Sequence, residues 1–203
     1  MKMQKISVLI SLKLFWLLNF LLLEQLVSGD YFRQLRRTSG PYTLGVPTSK
    51  GSQFMVIKGN NVLNYCESSI LVLGCTNFAT AHVGEIVALA SSKDDSFVAS
   101  GGLDYQLLVY YFGNRTLKCS FRHDNQVNVL KFDPSDEDIL YSGSFDQRVI
   151  RWNISSCEKI VERTLLAPIV SMDVRQDGQQ LSLAEKSNTI NNFYILDTTL
   201  STL

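Results

Sequence analysis

Short runs of alternating apolar and polar residues, separated by turns, fill the carboxyl-terminal two-thirds of the chain. Ile86, Ala88 and Ala90 fall on one face of such a run, and Val127, Val129 and the pair Lys131-Phe132 make another. A period of two puts successive side chains on opposite faces of an extended strand, so the pattern predicts half-buried β-structure. Asp133-Pro134-Ser135-Asp136 ends the second run. Proline fixes its own φ and short polar side chains bond to nearby backbone, so this tetrapeptide predicts a turn. Strands are expected at 126–132, 139–142, 149–153 and 160–165. They are expected again at 170–174, 180–183 and 190–196, around a turn at Gln176-Asp177-Gly178.

A repeat underlies these runs. Ser100-Gly101-Gly102-Leu103-Asp104-Tyr105-Gln106-Leu107 returns as Ser142-Gly143-Ser144-Phe145-Asp146-Gln147-Arg148-Val149, which puts 42 residues between Asp104 and Asp146. Six residues beyond each aspartate stands an aromatic, Tyr110 and then Trp152, and a further step of 42 reaches Asn188 and Tyr194. His82 and His123 open the first two units, whereas Ala167-Pro168 stands where a third histidine is expected. A period of about 40–45 residues marks the blades of a WD40 β-propeller. The expected fold is therefore all-β, a WD40 propeller with about four blades over 49–203, after an apolar amino-terminal helix in a leader at 1–29 and a linker at 30–48.

The repeated residue types suit a buried polar network in each blade. A histidine before the innermost strand, a serine on the second strand, an aspartate in the tight turn and a tryptophan on the third strand can form one hydrogen-bonded chain. These are His123, Ser142, Asp146 and Trp152 in one unit, and His82, Ser100 and Asp104 in the other, with Tyr110 in place of tryptophan. Burying such groups is tolerable only if each finds a partner, so they belong together. The third unit lacks the histidine, so its network is expected to be lost and packing to hold most of it. Ser, His and Asp also compose a hydrolase triad, but that needs a serine exposed at a sharp turn beside an oxyanion hole, and no GxSxG is present. No catalytic residue, metal site or cofactor is expected.

Composition changes the picture at three points. Lys plus Arg equals Asp plus Glu at 19 each, so no net field draws the chain to nucleic acid or to a membrane surface. Cys66, Cys75, Cys119 and Cys157 lack any CxxC or CxxH spacing for zinc and are read as buried thiols, with a disulfide pair as the alternative. At the amino terminus, Lys2 and Lys5 precede an apolar run over 6–23 broken only by serines, Lys13 and Asn19, and Val27-Ser28-Gly29 offers small residues for cleavage. This reads as a signal peptide. A membrane anchor is the next reading, although Lys13 at mid-span costs about 2.5–3.5 kcal/mol. The third is a non-native start.

The order of motifs resembles one WD40 subfamily, the mitotic spindle-checkpoint propeller of the budding-uninhibited-by-benzimidazole type and its mRNA-export relative. Its motifs SGGLD-x-QL, HD and GSWDQ match Ser100 to Leu107, His123-Asp124 and Gly143-Ser144-Phe145-Asp146-Gln147. Ser52-Gln53-Phe54-Met55-Val56-Ile57 resembles the SQFLLV strand of that family's first blade, which implies Val62-Leu63-Asn64-Tyr65 as its next strand. The resemblance spans roughly 49–197 and implies a closed ring of seven blades, so that this chain is incomplete relative to the family. It also implies a nuclear and kinetochore adaptor that binds short acidic motifs of checkpoint kinases or a nucleoporin, with Leu103, Tyr105 and Phe145 on the binding rim. Two departures weaken that site: Lys58-Gly59-Asn60-Asn61 stands at the first-blade SSWD, and Phe145 replaces the GSWD tryptophan.

The expected function is a non-catalytic protein-binding scaffold without direct nucleic-acid contact. The alternative is a secreted or membrane-anchored β-domain, with membrane contact only if the leader is a real anchor. Asn114-Arg115-Thr116 and Asn153-Ile154-Ser155 are then candidate glycosylation sequons.

Overall fold

The computed structural model describes residues 42–47, 53–58, 62–68, 73–79, 82–189 and 191–201. The apolar leader and its helix, expected over 1–29, lie outside them. Among the described residues every regular element is a β-strand. The first sheet holds β1 (Tyr42–Pro47), β2 (Gln53–Lys58), β3 (Val62–Ser68) and β4 (Leu73–Ala79), and the second β5 (Ile86–Ser91), β6 (Phe97–Gly102), β7 (Gln106–Tyr111) and β8 (Leu117–Arg122). The third holds β9 (Val127–Phe132), β10 (Ile139–Ser144), β11 (Arg148–Asn153) and β12 (Glu158–Thr164). Strands β13 (Ile169–Val174), β14 (Gln180–Lys186) and β15 (Asn191–Asp197) form a three-stranded fourth sheet. Each sheet is an antiparallel meander, in which neighbours in sequence are neighbours in space. These are blades 1 to 4.

One boundary moves. Strand β1 falls inside the segment expected to be a linker at 30–48, and it pairs with β2 from Tyr42 opposite Lys58 to Pro47 opposite Phe54. A compact unit accordingly begins at Tyr42 rather than at 49.

The core lies in slabs between consecutive sheets. Met55, Ile57, Leu63 and Phe78 of blade 1 pack on Ile86, Leu89, Val98 and Leu108 of blade 2. Leu107, Val109 and Phe121 face Leu130, Leu140, Ile150 and Trp152 across the next seam, where the Phe121 and Trp152 rings stack at 4.3 Å. Ile139, Tyr141 and Val149 meet Met172, Leu181 and Leu183 across the third. The second strand of one blade closely approaches the innermost strand of the next: a Cβ on Gly101 would lie 2.7 Å from Val127, and one on Gly143 would lie 2.7 Å from Ile169. Glycine is needed at both places for space.

The cysteines require a correction. All four pair, Cys66 with Cys75 and Cys119 with Cys157. Cys66 and Cys75 stand opposite each other on β3 and β4. Cys119 on β8 meets Cys157, in the turn after β11, across a seam at a Cα separation of 5.5 Å. The second pairing joins different sheets, and spacing along the chain carries no sign of it.

Candidate functional site

Blade 3 holds the complete network. His123 Nδ1 lies 2.8 Å from Asp146 Oδ2, His123 Nε2 lies 2.7 Å from Ser142 Oγ, and Trp152 Nε1 donates to Ser142 Oγ at 2.8 Å. Because the Asp146 carboxylate can only accept, Nδ1 carries a proton toward it, and the Ser142 oxygen accepts the indole proton. Asp146 further accepts the amides of Asp124 at 3.0 Å and Arg148 at 2.9 Å. The tight turn that aims it is closed at Gln147, whose φ is 71°.

Blade 2 repeats the arrangement. His82 reaches Asp104 Oδ1 at 3.0 Å and Ser100 at 2.9 Å, and Asp104 Oδ2 accepts the amides of Val83 at 2.9 Å and Gly84 at 3.3 Å. Tyr110 stands opposite Val98 as Trp152 stands opposite Leu140, so the phenol takes the place of the indole. Burial, with the charge of Asp104 behind it, pushes its pKa up to about 12. Burial alone would raise the carboxyls of Asp104 and Asp146. Hydrogen bonds from His82 and His123, followed by their Coulombic attraction and the turn amides, outweigh it and hold both below the ordinary value.

The connectivity Asp146–His123–Ser142 is that of a hydrolase triad, but Ser142 is 0% exposed and its oxygen is spent on Trp152. No substrate reaches it. These residues build the fold.

Blade 4 departs from expectation twice. The residue in the histidine position is Leu165, because its amide donates to Gln147 O as His123 N donates to Tyr105 O; Ala167-Pro168 lies just beyond. The hairpin is also longer: Ser142 pairs with Ile150, eight residues on, whereas Leu183 pairs with Tyr194, eleven on. The residue matching Trp152 is therefore Leu196, opposite Leu181, and the step of 42 to Tyr194 lands out of register.

Nor is the polar network of blade 4 lost. Glu185 is buried and accepts the amides of Leu166 and Ala167, both at 3.0 Å, together with Asn192 Nδ2 at 2.7 Å and the Tyr194 hydroxyl at 3.1 Å. These are the loop amides that Asp104 and Asp146 hold in the other blades. Burial would raise the Glu185 carboxyl; the bonds from Asn192, Ala167, Tyr194 and Leu166 bring it below the ordinary value. Its strand position matches Gly102 in blade 2, where a Cβ would lie 2.7 Å from Asp104 Oδ1 and 2.8 Å from His82 Nδ1. A side chain from that point reaches the same pocket. Asn188, at the expected aspartate position, is exposed.

Above the networks lies one rim, formed by the loops before β5, β9 and β13 and by the β6–β7 and β10–β11 turns. Leu103, Tyr105 and Phe145 stand on it at 40%, 37% and 39% exposure. Arg122 lies over the Tyr105 ring at 5.7 Å. Arg148 is ion-paired with Asp124 and, at 3.5 Å, with Asp146. Val83 at 87% and Leu166 at 68% extend the apolar surface from equivalent loop positions, which the repeat motif does not flag because they lie outside its repeated core.

Residues 74–110 and 115–153 match the family described as WD domain, G-beta repeat. The chain carries WD40 repeats. Each matched segment runs from the outermost strand of one sheet through three strands of the next, β4 to β7 and β8 to β11, so the sequence repeat straddles the blades. A stretch of 73 residues is 30% identical to WD repeat-containing protein 44 of Xenopus laevis, covering 36% of this chain and 8% of that protein. The β-propeller domain of Cps50 (Swd1) from Myceliophteria thermophila matches with a TM-score of 0.69 at 12% identity, over 81% of this chain and 54% of that one. The fold is a β-propeller, and the chain spans about half of that solved domain and a small part of the curated relative. Propellers of WD40 repeats generally serve as protein-interaction scaffolds.

Proposed function

We propose that the chain is a non-catalytic scaffold whose rim at Leu103, Tyr105 and Phe145 takes a short acidic segment of a partner protein. The spindle-checkpoint resemblance suggests a checkpoint kinase segment at kinetochores in the nucleus, with a nucleoporin segment in mRNA export as the alternative. One observation carries the reading: apolar side chains stand exposed at matching turns of adjacent blades, with the Arg122 guanidinium against Tyr105. A few such anchors on a rigid surface supply most of the energy of an interface, and a guanidinium beside an aromatic ring favours a carboxylate-bearing ligand. Titration of a labelled acidic peptide from a checkpoint kinase against wild type, Phe145→Ala and Arg122→Ala tests it. Weaker binding in both variants, with the Arg122 effect shrinking at high salt, is expected; unchanged affinity in Phe145→Ala removes that residue from the site.

A second reading concerns the compartment, and the two disulfides favour it. Such bonds persist in secreted and extracellular proteins and are rare in the cytosol and nucleus. A secreted or anchored scaffold, entering through the leader at 1–29, keeps the same rim for an extracellular partner. Thiol alkylation of the chain from its native source separates the readings, since four reactive thiols without reductant count against the secretory one.

A further inference from the structure

The triplet Asn114-Arg115-Thr116 forms the turn between β7 and β8, and all three residues are exposed. The turn is firmly held. Arg115 N donates to Tyr111 O at 3.0 Å and Tyr111 N to Thr116 O at 2.9 Å. The Arg115 guanidinium lies over Tyr65 at 5.4 Å and Phe78 at 5.9 Å and donates to Thr76 Oγ1 at 3.3 Å. Its middle residue thus anchors the triplet on blade 1 while the asparagine stays in solvent. Asn114 Oδ1 accepts both the Thr116 amide at 3.1 Å and the Thr116 hydroxyl at 2.7 Å, and among the described residues Asn114 Nδ2 makes no hydrogen bond. The second sequon differs. Asn153 is half-buried directly after Trp152, its Oδ1 accepts Ser156 N at 2.9 Å, and its middle residue Ile154 is fully buried.

We infer that Asn114 is an N-glycosylation site, filled in the same oxidising compartment in which the two disulfides form; this rests on the secretory reading above. Asn-x-Thr is the acceptor triplet, and the disulfides independently point to the compartment where it is used. In the transfer, Asn114 Nδ2 forms a bond to the anomeric carbon of an oligosaccharide carried on a lipid diphosphate. The carbon–oxygen bond to the diphosphate breaks, the lipid diphosphate leaves, and the amide proton passes to a base of the transferring enzyme. Each disulfide forms as two thiols give two protons and two electrons to the disulfide of a thiol oxidoreductase, which becomes a dithiol. Asn153 stays unmodified, because it is half-buried between the buried Trp152 and Ile154 and offers a glycan no open solvent.

The full chain, expressed with its own amino terminus in cultured animal cells, provides the test. Intact mass is read before and after peptide-N-glycosidase in heavy-oxygen water, alongside thiol alkylation without reductant, for wild type, N114Q, T116A and N153Q. The expected result is a glycosidase-sensitive shift in wild type and N153Q, heavy oxygen at position 114, no shift in N114Q or T116A, and no alkylated thiol. T116A keeps the asparagine, so a folding defect peculiar to N114Q does not decide the outcome. A shift that survives in N114Q and T116A overturns the assignment. Absence of any shift with both disulfides formed overturns the glycan alone; absence with four alkylated thiols overturns the glycan and the secretory reading together.

Discussion

Blades 3 and 4 meet the same physical requirement with different chemistry. In blade 3 the loop amide of Asp124 is held by Asp146 from a turn, and His123, Ser142 and Trp152 complete a closed set of partners. In blade 4 Leu165, Leu183 and Leu196 occupy the places of the histidine, serine and tryptophan, and Glu185 reaches from a strand to hold Leu166 and Ala167. What the two share is a buried carboxylate on the loop amides. The histidine is one way of supporting that carboxylate; Asn192 and Tyr194 are another.

Asp146→Ala should break the comparison hardest. It orphans His123 Nδ1 and the amides of Asp124 and Arg148, at about 1–3 kcal/mol per group that stays buried without a partner. Denaturant unfolding of the full chain reads the loss. Glu185→Ala comes next, with two amides orphaned at the same cost each, while Asn192 and Tyr194 are less buried and can turn to water. A loss below about 0.5 kcal/mol there would return blade 4 to packing alone. Asn188→Ala, at an exposed position, should stay within about 0.5 kcal/mol of wild type.

Acid sharpens the same comparison. The folded pKa values of Asp104, Asp146 and Glu185 lie below the ordinary values of 3.8 for Asp and 4.5 for Glu. Groups depressed in this way stabilise the fold fully above the ordinary values, and the contribution disappears as pH falls through the folded ones. Unfolding midpoints should therefore hold from neutral pH down to about 5 and then drop. Glu185→Gln should flatten part of that drop, and an unchanged acid limb would remove Glu185 from the linkage.

The sequence was most legible where chemistry and spacing coincide. His82, Ser100, Asp104, His123, Ser142, Asp146 and Trp152 recur at fixed intervals because each must reach the next, and the structure joins them as the spacing predicts. Glu185 escaped because it fills the same pocket from the adjacent strand, three residues before the position that the repeat points to. Tyr194 misled for a related reason: a hairpin lengthened by three residues keeps an aromatic at the expected interval while moving it off the register. The pairing of Cys119 with Cys157 depends on two sheets meeting edge to turn. Strand β1 does alternate, Tyr42, Leu44 and Val46 against Thr43, Gly45 and Pro47, but its glycine and proline read as loop punctuation and merged it with the segment before it. The rim residues Leu103, Tyr105 and Phe145 were readable by resemblance, whereas Val83 and Leu166 depend on loops whose exposure only the fold sets.

The crowding around Gly102 has an evolutionary consequence. In blade 2 a glutamate side chain at that strand position competes with the histidine–aspartate pair for one pocket, since a Cβ there comes within 2.7 Å of Asp104 Oδ1, whereas in blade 3 the short side chain of Ser144 fits at the matching position beside an intact pair. A small side chain is compatible with the pair, and it is the longer glutamate that competes with it. The substitutions are therefore epistatic: grafting Glu185 into blade 2 harms it unless His82 and Asp104 go at the same time.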